Sequence, residues 1–213
     1  QRAVDSGEIT RFGAIDDTEG GSTGRSSIVF DFYKRISDIS AITSKVYYMN
    51  YDFELYSNFT FFLNDSVNGD QIRQKENRQV FGFSSVYHQD FNWAGTEWNF
   101  RTGIELRNDQ VDDIELSHTA NRRETLEQIQ LGNIIQTNPS GFAELTIDKG
   151  RWVINPGLRL DLLSFQYQDI LASTYEVNRE SAARLSPKLN VMYNLSGDLQ
   201  LYMKAGSGFH SND

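Results

Sequence analysis

The residues best equipped for chemistry stand in the polar stretch Asn64-Asp65-Ser66-Val67-Asn68-Gly69-Asp70, where oxygen-bearing side chains alternate and glycine falls sixth. This is the first half of a calcium-binding pattern, in which such oxygens ring a hard cation and the glycine permits a sharp turn. The place of the bidentate glutamate is taken by Lys75. A solvated loop and a weak calcium bridge therefore remain as alternatives. His88, His118 and His210 are far apart and lack H-E-x-x-H spacing, so no metal site is expected. The neighbouring acids Asp16-Asp17 and Asp112-Asp113 point apart on a strand or loop and do not form a glycosidase pair. Gly206-Ser207-Gly208 lacks the third glycine and following helix of a dinucleotide fingerprint, and neither a serine nucleophile elbow nor a phosphate-binding loop is present. The expectation is a protein that is not an enzyme and carries no cofactor.

The 213 residues include 29 acids against 20 bases, a net charge of -9, which argues against a nucleic-acid partner because such affinity comes from clustered Lys and Arg. Cysteine is absent, so disulfides and thiolate metal sites are excluded. No apolar run approaches the roughly 18 residues of a spanning helix. A membrane β-barrel stays open, because its alternating strands average to a hydrophilic sequence. The chain opens at Gln1 without an initiator Met or an apolar leader, and is expected to begin at a cut.

The elements that must position these residues alternate with a period of two. In 41–58, Tyr47, Met49, Tyr51, Phe53 and Leu55 oppose Tyr48, Asn50, Asp52, Glu54 and Tyr56, which a strand sorts onto two faces and a helix would scatter. The same pattern runs through 97–107, 152–162, 184–193 and 199–205, and more weakly through 27–35, 80–89 and 141–148. Residues 8–16 are strand-like in composition only. The expected fold is all-β, an antiparallel up-and-down meander of about nine strands. Short turns at 37–40, 92–95, 148–150 and 196–198 alternate with longer polar connections at 17–24, 59–76, 112–132 and 169–182; residues 113–130 fit either a short helix or a polar outer loop. Pro156 interrupts a good strand, and a bulge or a gap in pairing is expected there.

Short turns at one end and long loops at the other describe outer-membrane barrels, whose periplasmic turns are short and extracellular loops long. Aromatic residues near strand ends, including Trp93, Trp98, Trp152, Tyr47 and Tyr193, fit girdles at two membrane interfaces, although a soluble sandwich core would also hold aromatics.

The run SPKLNVMYNLSGDLQLYMKAGSGFHSND, from Ser186 to Asp213, resembles the barrel of TonB-dependent outer-membrane receptors, with strand, tight turn, strand and a Gly-aromatic segment entering an outer loop. Gly13 to Phe32 and Gly141 to Asp161 are similar to the same family. The resemblance implies that residues 1–213 are part of a larger transmembrane barrel in the bacterial outer membrane. It implies contact with outer-membrane lipid, with the protein's own plug domain and energy-coupling TonB complex, both outside this chain, and with a small-molecule ligand. The ligand would be a scarce one such as a siderophore, metal chelate or vitamin. In that setting Asp52, Glu54, Arg101, Glu105, Arg107, Arg159, Asp161 and Lys188 are expected to face the lumen or plug. Asp65, Asn68, Asp70, Phe209 and His210 are expected near ligand. The alternatives are a smaller passive pore or adhesin, and a soluble β-sandwich binding module.

Overall fold

The computed structural model describes residues 2–7, 9–13 and 16–209. After a single helical turn, α1 (Arg2–Asp5), the chain folds as one sheet of eight strands: β1 (Gly20–Ser37), β2 (Ser40–Ser57), β3 (Ile72–Trp93), β4 (Thr96–Ala120), β5 (Glu124–Lys149), β6 (Trp152–Asp169), β7 (Val177–Asn194) and β8 (Gln200–Gly206). Strand order follows chain order, and every neighbouring pair is antiparallel. Eight of the nine expected strands form. Segment 8–16 does not supply the ninth among the described residues; residues 9–13 are bend, turn and coil, as their poor alternation allows.

Register sorts the side chains onto two faces. One row across the sheet pairs Phe30 with Val46, Val46 with Phe83, Phe83 with Leu106 and Leu106 with Pro139. Another links Trp98, Ile147, Ile154, Val191 and Met203. These rows build a continuous apolar face, and it is open: Phe30 is 64% and Met203 58% exposed. The opposite face is polar, and it uses glycine for close approach. A β-carbon at Gly82 would collide with the Tyr47 ring that lies across from it on β2.

The strands are 18 to 26 residues long except for β8, whereas about 9–11 residues of a tilted strand cross a bilayer. This length corrects the expected connections. The 112–132 loop is mostly strand: β4 continues to Ala120, β5 starts at Glu124, and no helix forms over 113–130. Only Asn121, Arg122 and Arg123 turn, with φ of 52° at Asn121 and 59° at Arg122. Where both faces of a strand meet water, both are polar and the alternation of hydropathy disappears. For the same reason the 59–76 and 169–182 loops shrink to 58–71 and 170–176. At the other end the turns are tight. Ala94 and Gly95 both have positive φ, 54° and 70°, the two-residue geometry that matches strand twist.

Pro156 sits in the expected gap. The β5–β6 ladder breaks between Glu144–Gly157 and Ile147–Ile154, and the Asn155 amide donates to the Leu145 carbonyl at 2.9 Å inside the break. Pro139 repeats the device one strand earlier, with Asn138 donating to Leu162 O at 3.0 Å. Each Asn-Pro pair thus supplies a side-chain donor where proline has no N–H.

Candidate functional site

Four adjacent strands, β4 to β7, carry a charged network on the polar face. Arg159 on β6 donates to Glu105 on β4 at 2.7 Å, to Ser140 on β5 at 2.7 Å and to Asp161 on its own strand at 3.0 Å. Arg101 on β4 meets Glu144 on β5 at 2.6 Å, and Lys188 on β7 bonds the same carboxylate. Arg107 grips Asp109 two residues along with both nitrogens, at 2.7 and 2.8 Å. The aspartates are the deeper partners: Asp161 and Asp109 are 2% and 3% exposed. The cations stand outward toward solvent. Every bond needs its partners on one parity in register, which the ladders provide. Beside this network lies a hollow of about 540 Å³ lined by Arg107, Asn138, Arg159, Asp161, Ser186 and Phe209 among others.

Six of the eight residues assigned to the lumen by parity, Arg101, Glu105, Arg107, Arg159, Asp161 and Lys188, share this polar face. Asp52 and Glu54 do not. Asp52 pairs with Asn77, four residues from the Tyr48–Phe81 level and six from Val46–Phe83, so both acids lie on the parity of the apolar face. The parity of β2 changes character along the strand: its even positions are apolar at Val46 and Tyr48 and acidic only further along, at Asp52 and Glu54. The odd set, Tyr47 to Leu55, belongs with Gly82, Val80 and Arg107 on the polar face. Glu144 and Asp109 were not anticipated, although Glu144 opposes Ala143 and Leu145 in an alternating run that reveals it.

Loop 58–71 holds Asp65, Asn68 and Asp70 together, but the carboxylates are turned on the loop itself. Asp65 accepts from the N–H groups of Val67 and Asn68, both at 2.9 Å, and from the Asn68 amide at 2.9 Å. Asp70 accepts from the N–H groups of Asn64 and Asp65 at 3.0 and 2.7 Å. The backbone N–H of Asn68, with its side chain and the Val67 N–H, holds the Asp65 carboxyl below its ordinary value. For Asp70, desolvation pushes upward, yet bonds from Asp65, Thr60, Asn64 and Leu63 outweigh it and bring the carboxyl from 3.8 down to about 2. These are anchors of a turn, already supplied with donors. His118, from β4, adds a further bond to the Gly69 carbonyl at 2.6 Å. Phe209 lines the hollow described above, and His210 lies outside the described residues. Among the described residues, Asp65, Asn68 and Asp70 share the loop while Phe209 lines the hollow, so these four do not form one site.

A continuous apolar face, an ion-paired polar face and strands linked in meander order define a stretch of barrel wall. The family model described as TonB dependent receptor-like, beta-barrel matches residues 4–213. The chain belongs to this family. It is an outer-membrane β-barrel protein, in a family of receptors and transporters. The fold is similar to that of the ferric citrate transporter FecA in its unliganded form, with TM-score 0.69, 19% identity, and coverage of 87% of this chain and 27% of that one. It is also similar to the ferric-catecholate import receptor Fiu of E. coli K12, with TM-score 0.70, 11% identity, and coverage of 89% and 36%. For the siderophore receptor PiuA of Acinetobacter baumannii the TM-score is 0.66, with 10% identity and coverage of 84% and 31%. The chain thus spans 27% to 36% of the length of these three relatives. No curated protein matches it.

Proposed function

We propose that this chain is part of the wall of an outer-membrane importer that takes up a scarce extracellular molecule, a siderophore, another metal chelate or a vitamin. The reading rests on one observation: within a TonB-dependent receptor barrel, the apolar face is continuous while the opposite face carries the ion-paired network of β4 to β7. The apolar face meets lipid. The polar face lines the lumen, where Arg101, Glu105, Arg107, Arg159, Asp161 and Lys188 form a hydrated wall against the plug domain. The short turns are periplasmic, and loop 58–71, turn 121–123 and loop 170–176 are extracellular. Phe209, beside the hollow at Arg107 and Arg159, is the wall's aromatic contact for ligand or plug. A metal chelate is favoured among ligands because, of the proteins similar in fold, FecA is a ferric citrate transporter, Fiu a ferric-catecholate import receptor, PiuA a siderophore receptor and OprC a copper transporter.

The test is uptake by cells whose gene for this receptor has been deleted and then restored. Radiolabelled ferric citrate, a ferric catecholate and a copper salt are supplied in turn, with and without a protonophore. Energy-dependent uptake of one of them, lost on deletion, is the expected result. Uptake that persists under the protonophore would make the barrel a passive pore, and no change for any metal would remove the metal chelate from the reading.

A further inference from the structure

A second set of deeply buried polar groups lies at the long-connection end, apart from the charged wall. Gln71, at the entrance to β3, is 2% exposed and uses both ends of its amide. Its oxygen accepts from Thr119 Oγ1 at 3.1 Å and from the Arg122 N–H at 3.0 Å, and its nitrogen donates to Thr18 Oγ1 at 2.6 Å. Its backbone carbonyl takes the Thr119 N–H at 2.8 Å. The Arg122 guanidinium bonds the carbonyls of Thr18 and Glu19 and stands over the Tyr56 ring, 5.5 Å from its centroid. Asn58 closes the circuit: its N–H donates to Glu19 Oε1 at 2.9 Å and its amide to Asp16 Oδ2 at 3.0 Å.

Three separate connections meet at these bonds: the lead into β1 at 16–20, loop 58–71 and turn 121–123. A buried amide satisfied on both ends leaves no geometry in which one connection shifts and the others keep their partners, because the exposed donor or acceptor would be orphaned away from water. We infer that Gln71 and Arg122 latch the three connections into one rigid body, so that a ligand or partner that displaces one of them displaces all three together. This goes beyond the uptake reading and does not depend on which molecule, if any, the receptor imports.

The test is hydrogen exchange on the full-length receptor in detergent, read on peptides covering 16–20 and 58–70. Gln71→Leu and Arg122→Ala should each raise exchange about tenfold in both segments at once. Lys45→Ala, whose exposed pair with Asp31 lies outside the latch, is the control and should change neither. Heat-modifiable migration on gels shows whether each variant has formed its barrel; should Gln71→Leu fail to assemble, Thr18→Val removes the far end of the same bond. Exchange that rises only in the segment next to each substitution, or in neither, would overturn the latch.

Discussion

The charged wall of β4 to β7 and the latch at the long connections each tie together distant parts of the chain, with opposite chemistry. In the wall the cations are open to water: the side chains of Arg159, Lys188 and Arg101 are 37%, 45% and 47% exposed. In the latch neutral amides and hydroxyls dominate, and Gln71, Thr119 and Asn58 are 2%, 1% and 5% exposed. Half-solvated ion pairs are weak, because water competes for each partner. Buried neutral hydrogen bonds are modest when made and costly when broken. The wall can therefore trade partners with a passing polar solute, and the latch cannot.

The largest effect expected calibrates the comparison from the apolar face. Leu106→Arg should destabilise the barrel by about 2–4 kcal/mol if it lies near the bilayer midplane. Asp52→Leu, on the same parity but beyond the lipid, should cost almost nothing. Urea unfolding of the receptor in lipid vesicles measures both, and the reverse order would mean that the faces are misassigned. Within the wall, Arg159→Met leaves the buried Asp161 without its cation and should cost roughly 1–3 kcal/mol after allowance for screening. Arg101→Met leaves Glu144 still bonded to Lys188, and should cost about 0–1 kcal/mol. Equal losses for the two arginines would show that the wall is held by shape and not by these pairs.

Smaller effects sharpen the contrast at the strand ends. Asn155→Ala removes the donor beside Pro156 and should cost about 1 kcal/mol by the same unfolding measurement. Ala94→Asn relieves a positive φ that alanine adopts poorly, and should stabilise the turn by a few tenths of a kcal/mol. Acid probes loop 58–71 alone. The Asp70 carboxyl is depressed from 3.8 to about 2, so its hold on the loop is complete above the ordinary value and is lost as pH falls through about 2. Pepsin should spare the Phe61-Phe62-Leu63 bonds at about pH 3 and cut them below about pH 2, and Asp70→Asn should permit cutting at both.

How much of this could be read from residues alone followed the position of each strand relative to lipid. Inside the membrane one face is apolar, so Trp98, Phe100, Ile104 and Leu106 announced both strand and face. Outside it neither face needs to be apolar, and the outer halves of β4 and β5 passed for a loop. β2 changes character along its length, so a parity read from Tyr47 to Leu55 separates Asp52 and Glu54 from Val46 and Tyr48, whose face they share. The charged residues of the wall were legible because they fall in alternating runs. The latch was not: Gln71 finds Arg122 51 residues away, and Arg122 finds Thr18 104 residues away, with no local pattern to mark either.

The overhang of β5 gives that latch a mechanical meaning. Residues 124–130 pair with β4 alone, since the ladder to β6 begins at Gly132. At about 3.3 Å per residue they form an open sheet edge of some 20 Å, backed by β4, which keeps its own ladder to β3 only as far as Ile72–His118. Its register also slips twice near the tip, between Leu116 and Ser117 and between His118 and Thr119. A cantilever of this kind bends under thermal load unless something props its free end. Gln71 and Arg122 are the strut, and they set the height and tilt at which the β4–β5 tip is carried.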